Sequence, residues 1–136
     1  MKEALKKILN EEEEGLKQLL KLLEEQYNFI IKKDVFKLES MVDKIKLCNK
    51  NIAEIEVRRR EVLGKLSMKD YINSSEDEEL KNLYSNINSL IHDLTIQKDS
   101  NDLLIKQNLS FVNKMLAYIN PERSAPTYNS YGKVRK

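Results

Sequence analysis

Apolar residues recur at steps of three and four through most of the chain, a spacing that places them on one side of a helix. The longest run opens with Ser75-Glu76-Asp77-Glu78, which matches a capping box between Ser75 and Glu78. It continues to Pro121, a residue that cannot extend a helix. Its seam, typical of helices packed side by side, comprises Leu80, Leu83, Ile87, Leu90, Leu94, Gln97, Asn101, Leu104, Asn108, Phe111, Met115 and Tyr118. The pattern predicts a helix over residues 76–119, a rod roughly 65 Å long.

Two shorter helices precede this one and must cover its apolar stripe. Residues 3–33 have one apolar side, which the acidic residues 11–14 interrupt. Asp34 is a natural N-cap for a second helix over residues 35–64, and Gly64 marks its end. Because almost nothing connects these two helices, we expect them to be antiparallel neighbours. In the second helix only Arg59 breaks the seam, and we expect its head to reach water or a carboxylate.

These elements predict an all-α fold, an elongated and antiparallel three-helix bundle resembling a coiled coil. The bundle takes residues 1–120, and its helices run up, down and up. The internal linker, residues 67–74, contains Met68, Tyr71 and Ile72, so we expect a helical turn there that closes one end. Residues 121–136 hold both prolines and no helical stripe, which predicts a disordered tail.

The predicted helices differ in length. The third exceeds the second by more than a dozen residues, so its end should extend past its neighbours by about 18 Å. We call residues 108–119 the projecting segment. Apolar helical surface that its own chain leaves uncovered usually marks a partner site; the alternatives are pairing with a second copy, giving a homodimer, or a linker folded back over this surface. The candidate binding residues are Leu104, Asn108, Phe111, Val112, Met115, Leu116, Tyr118 and Ile119.

Polar residues occupy the seam of the third helix at Gln97, Asn101 and Asn108. A buried Asn in such a seam costs stability and fixes register and partner number. The second interpretation is that the seam is weak here so that a partner helix can enter.

Composition narrows the classes of function. Hydrophobic residues make up 40% and charged residues 34%, while the net charge is only +2, so no one-sided basic surface implies nucleic acid. The single histidine, His92, has no metal-ligand partner at a suitable spacing, and no phosphate loop or nucleophile motif is present. We therefore expect a binding protein rather than an enzyme, without a cofactor or metal.

Two further features bear on the environment of the protein. Cys48 lies on the apolar seam of the second helix, so we expect a buried small side chain rather than a reactive thiol. No apolar stretch approaches the length of a membrane span, and the charged N-terminus is unlike a signal peptide. A cytoplasmic location without membrane insertion is therefore expected.

The tail has one unusual property, the aromatic residues Tyr128 and Tyr131. Aromatic side chains in a polar tail are well suited to anchor it to a partner. We therefore expect this pair to form a second docking site; the alternative is that both rings simply lie on the bundle.

Four stretches of the chain together are similar to a known family. They are Tyr27 with Ile30-Ile31-Lys32-Lys33-Asp34, Val62-Leu63-Gly64 followed by Leu66-Ser67-Met68-Lys69-Asp70-Tyr71-Ile72, Asn101-Asp102-Leu103-Leu104, and Thr127-Tyr128-Asn129-Ser130-Tyr131-Gly132. The last is similar to a Thr-Tyr-x-x-x-Gly ending. On these stretches the chain resembles the FlgN family of flagellar export chaperones, which serve type III secretion.

The resemblance implies a cytoplasmic bacterial chaperone without ATPase activity. It implies that the chain binds the C-terminal helices of hook-associated proteins, which form the hook–filament junction, and prevents their premature assembly. It also implies delivery of these clients to the cytoplasmic domain of the export gate, with Tyr128 matching the family's docking tyrosine. The alternative is a structural coiled-coil protein that associates with itself.

Overall fold

The computed structural model describes residues 1–119, with Phe111 and Val112 by their backbone alone, and the backbone of residues 127–128 and 134–135. Within this part the chain forms four helices: α1 Lys2–Ile31, α2 Val35–Leu63, α3 Met68–Ser74 and α4 Glu78–Ile119. Strands β1, Thr127–Tyr128, and β2, Val134–Arg135, pair antiparallel. The predicted helical class is confirmed, and the disorder predicted for the tail concerns residues that lie outside this description apart from β1 and β2.

The first two helices end at the residues whose local chemistry favours an end. After α1 the chain turns through Lys33, which has a positive φ of 56°. Asp34 then caps α2, since its Oδ1 accepts a hydrogen bond from the Lys37 backbone N–H at 3.1 Å. Gly64 follows α2 with φ of 60°, and a Cβ there would meet nothing within 4 Å. The backbone conformation, rather than lack of space, therefore favours glycine at this position.

The predicted capping box at the start of the longest helix is wrong. Asp77, rather than Ser75, caps α4, because its Oδ1 accepts hydrogen bonds from the backbone N–H groups of Glu79 at 3.0 Å and Leu80 at 3.3 Å. Its other oxygen lies 2.6 Å from Lys6 Nζ and 3.1 Å from Lys2 Nζ. The hydrogen bond from Lys6, with Lys2 and the Leu80 N–H adding to it, outweighs partial burial and lowers the pKa of Asp77 far below its usual range.

The linker between α2 and α4 folds as the short helix α3. Ser67 caps it by accepting a hydrogen bond from the Asp70 N–H. Its Ile72 side chain is buried in the common core, with Met68 and Tyr71 packed at the edge of that core. The helical turn predicted for residues 67–74 is therefore present and covers one end of the core.

Helix α1 is the central element, because it packs along both α2 and α4 while α2 and α4 make no comparable contact over the described residues. A three-helix bundle is not confirmed, because the chain has a fourth helix in α3 and its long helices are joined through α1. The predicted directions hold. Arg58 of α2 pairs with Glu11, antiparallel to α1, whereas α4 runs parallel to α1 from Lys6–Asp77 to Gln26–Asn101.

Helices α1 and α2 approach closely at Gly15. A Cβ on Gly15 would lie 3.2 Å from Ile52 Cγ1, which is tighter than an ordinary contact. The Cys48 thiol donates a hydrogen bond to the Gly15 carbonyl at 3.6 Å. Cys48 is buried as predicted, and burial raises the pKa of its thiol.

A charged pair lies one turn away in the same interface. Glu12 is only 1% exposed, and its Oε1 lies 3.4 Å from Nη1 of Arg59, so Arg59 reaches a carboxylate as expected. Glu12 Oε2 and Arg59 Nε are buried without a hydrogen-bond partner among the described atoms. Burial raises the pKa of Glu12, with Arg59 opposing the shift and Glu56 adding to it. The contact between Glu12 and Arg59 therefore offsets only part of the cost of burying these two charged groups.

The stability of the protein should tolerate replacement of Glu12 and Arg59 together but not replacement of Arg59 alone. We expect Arg59→Leu to lower the free energy of unfolding by roughly 1–3 kcal/mol, because it leaves a buried carboxylate unpaired. The double variant Glu12→Leu/Arg59→Leu should be as stable as the parent or more so. The deficit of the single variant should shrink on acidification, because a carboxyl whose folded pKa is raised costs stability only while ionised. Urea titrations at several pH values measure this, and a double variant less stable than Arg59→Leu would contradict it.

Asp77 should make stability depend on pH in the opposite sense. Its folded pKa is lowered, so its contribution is complete above the unfolded pKa of about 3.9 and is lost as the pH falls toward the folded value. Asp77→Asn keeps a good N-cap and removes the ion pairs with Lys2 and Lys6. We expect Asp77→Asn to have a lower Tm than the parent at pH 7, with the difference closing below about pH 4. An equal difference at both pH values would rule out the ion pairs as its cause.

Candidate partner-binding surface

The seam of α4 loses its cover toward the C-terminal end of the helix. Leu80, Leu83, Ile87 and Leu94 are buried in the core. Leu104 and Asn108 are half-buried, and Met115 and Tyr118 are 52% and 91% exposed. Among the described side chains, none after Asn101 is buried. One continuous seam thus passes from core to surface within a single helix.

The register between α1 and α4 causes the C-terminal end of α4 to lose its cover. Where Gln26 meets Asn101, α1 has five residues left before it ends at Ile31, whereas α4 has 18 left before Ile119. Helix α2 begins at the same level, because a short turn connects it to α1. At 1.5 Å per residue, α4 continues past both neighbours by about 20 Å.

A buried amide network lies just before α4 leaves its neighbours. Asn101, 1% exposed, donates from Nδ2 to the Leu23 carbonyl at 2.8 Å and to Gln26 Oε1 at 3.0 Å. Its Oδ1 accepts a hydrogen bond from Gln97 Nε2 at 3.0 Å. Because a buried amide without partners would cost about 1–3 kcal/mol, these bonds favour the register in which they form. The network agrees with a register-fixing role for Asn101.

The structure places the predicted binding residues unequally. Met115, Tyr118 and Ile119 are exposed, and Leu104, Asn108 and Leu116 are half-buried. The side chains of Phe111 and Val112 lie outside the described atoms. Tyr128 is described by its backbone alone, in β1 opposite Val134, and Tyr131 lies outside the description. Their binding roles stay predictions.

Part of the projecting segment has cover. Asn113 Oδ1 is buried and has no hydrogen-bond partner among the described residues. Leu116 is half-buried, three residues further along the same helix. The open apolar surface is therefore concentrated at Met115, Tyr118 and Ile119.

Sequence reasoning missed a group of exposed apolar residues at the same end of the molecule. Ile31 at the end of α1 and Val35 and Phe36 at the start of α2 are exposed, Phe36 by 89%. All three lie off the seams that predicted the helices. The sequence shows these residues as large apolar side chains at positions outside the heptad seams, and this could have identified them.

Other features of the described part are its histidine, its acidic side chains, one groove and the hydropathy of its helices. His92 is exposed, and no group of His, Cys, Asp or Glu among the described residues could hold a metal ion. A groove of about 950 Å³ between α1 and α2 is lined mainly by charged and amide side chains, together with Gly15, Leu22 and Ile55. No helix in this part of the chain is long and apolar enough to cross a membrane. The apolar end of α4 remains the best candidate surface.

A family model described as "FlgN protein" matches residues 1–136, the whole chain. No curated protein and no solved structure matches the chain.

Proposed function

Because the chain belongs to the FlgN family of flagellar export chaperones, which implies binding to hook-associated proteins, we propose that it binds the C-terminal helices of these proteins in the cytoplasm. It keeps them from assembling prematurely and delivers them to the export gate. The observation that carries the proposal is the exposed apolar end of α4 at Met115, Tyr118 and Ile119.

The projecting segment suits a helical client. An amphipathic helix buries its apolar face when it lies along a second helix whose apolar residues recur at steps of three and four. On α4 the seam positions Leu104, Asn108, Phe111, Met115 and Tyr118 have this spacing, and all except Asn108 are apolar. Junction proteins must pair through such helices outside the cell, so covering them beforehand prevents aggregation. The contact removes apolar area from water, at about 25 cal/mol per Å² before the cost of ordering is subtracted.

Release of the client requires no nucleotide in this scheme. The tail, with Tyr128 and Tyr131, docks on the cytoplasmic domain of the export gate, while the projecting segment holds the client. Pro121 lies between the two sites in the sequence, and α4 cannot continue through a proline. Client binding and gate docking are therefore assigned to different residues.

Client binding should depend on exposed apolar residues of the projecting segment. We expect Met115→Asp to weaken binding of a peptide spanning the C-terminal helix of a hook-associated protein from the same organism about tenfold, or about 1.4 kcal/mol. Ile96→Asp is the matched control, because Ile96 lies on the same helix before Asn101 and is 53% exposed, against 52% for Met115. The control should keep the parent affinity in calorimetric titrations.

Absence of binding to every such peptide from that organism would overturn the proposal. Equal losses in Met115→Asp and Ile96→Asp would place the client elsewhere on α4. A stable dimer in light scattering at micromolar concentration, without client binding, would favour the self-associating coiled-coil protein instead.

Gate docking should depend on the tail and not on α4. We expect Tyr128→Ala to spare client affinity and to weaken binding of the purified cytoplasmic domain of the export gate, because an anchoring aromatic ring is removed. Tyr128→Phe keeps the ring and tests the hydroxyl separately, and Tyr131→Ala tests the second ring. Loss of client binding in Tyr128→Ala, with gate binding intact, would reverse the assignment of the two regions.

A further inference from the structure

We propose that Gln26 and Asn101 are positioning residues, whose buried amide pair sets how much of α4 projects for a client helix. The biological meaning of this inference rests on the proposed function, whereas its structural part, the register of α4 on α1, can be tested by itself. The pair lies where the buried part of the α4 seam ends.

Both the nitrogen and the oxygen of the Asn101 side-chain amide have hydrogen-bond partners in the observed register. Its Nδ2 donates to Leu23 O and Gln26 Oε1, and its Oδ1 accepts from Gln97 Nε2. Both Asn101 and Gln26 are buried, so neither finds water if the partner moves away. Leucines, by contrast, are equivalent at successive heptads. The apolar part of the seam alone does not distinguish one heptad register from the next.

If α4 slipped by one heptad toward the C-terminal end of α1, Leu94 would lie level with Gln26. The Gln26 amide would then lose its partner. The opposite slip would bring Asn101 level with Leu19, but it would also bring Asn108 level with Gln26. Asn108 has the same side chain as Asn101 and would replace it beside Gln26. The amide pair therefore opposes this second slip less strongly than the first.

The contact at the other end of α1 opposes the second slip. Asp77 lies between Lys2 and Lys6 in the observed register. A shift that brings Asn108 to Gln26 would bring Tyr84 to the level of Lys6, and both ion pairs would be lost. Together, the amide pair and the Asp77 ion pairs favour a single register of α4 along α1. A shift of seven residues would move the end of α4 by about 10 Å, which is half of the projecting length.

The register can be measured with a pair of spin labels. In a Cys48→Ala background, the substitutions Glu24→Cys and Lys114→Cys place labels at two exposed sites, one on α1 and one on α4. We expect a single narrow distance in this background. The variant Gln26→Leu/Asn101→Leu should keep its helical content and Tm but show a second distance or a broadened distribution. Adding Asp77→Asn should enlarge the displaced population, because the second contact is then also lost.

Client affinity is the second readout. With the client peptide named above, Gln26→Leu/Asn101→Leu should bind several-fold more weakly, although no residue of the projecting segment has changed. Exchanging the amides in Gln26→Asn/Asn101→Gln should restore both the single distance and the affinity, which a role in stability alone does not require. If the leucine pair reduced helical content, Asn101→Val would be measured in the same way.

A single distance equal to that of the background protein, in Gln26→Leu/Asn101→Leu and also with Asp77→Asn added, would overturn the inference. An altered register with unchanged client affinity would overturn the link to the binding surface. Failure of the background protein itself to bind any client peptide would count against the proposed function, and the distance measurement would still decide the register.

Discussion

Packing of α1 against two helices at once is the interaction on which the rest of the structure depends. Isolated helices are marginal in water, and most of their stability in proteins comes from burying an apolar face. Over the described residues, α2 and α4 have no comparable contact with each other, so each relies on α1 for its cover. The approach at Gly15 brings α2 close, and the contact at Leu23 and Gln26 holds α4. Loss of α1 would leave both partners without a core.

Two polar contacts inside these interfaces differ in how well they are compensated. At Asn101 every strong donor and acceptor of the amide has a partner, so burial costs little and the geometry becomes specific. At Glu12 one carboxylate oxygen has no hydrogen-bond partner among the described atoms, and the same is true of Nε in Arg59. A buried charge pair of this kind adds little net stability and penalises the loss of either member. The α1–α4 contact is therefore specified by hydrogen bonds, whereas the α1–α2 contact relies on close packing near Gly15.

The unequal length of the helices has functional meaning only in a fixed register. If α4 moved freely along α1, the apolar surface at Met115, Tyr118 and Ile119 would have no constant extent. The contacts at Asp77 and Asn101 lie near the two ends of the shared seam, and the ion pairs at Asp77 oppose the shift that the amide pair resists only weakly. If this surface binds a client, as proposed, a preformed helix of defined length reduces the ordering that the protein itself must undergo on binding.

Local chemistry allowed much of this fold to be predicted from the sequence. The α1–α2 turn followed from Asp34, the end of α2 from Gly64, and the α4 seam from its heptad spacing, because each depends on residues that are close together in the chain. Met115 and Tyr118 could likewise be assigned to the seam beyond the predicted neighbours.

The sequence alone did not determine contacts between residues far apart in the chain. Ser75 and Asp77 are both good helix caps, and Asp77 also gains ion pairs with Lys2 and Lys6, which only the folding of α1 against α4 brings there. The central place of α1 and the burial of Glu12 likewise followed from packing. Helical spacing therefore determined which residues share a face, whereas the tertiary structure decided which faces are covered, because burial depends on the register of helices whose apolar residues are similar in size and chemistry.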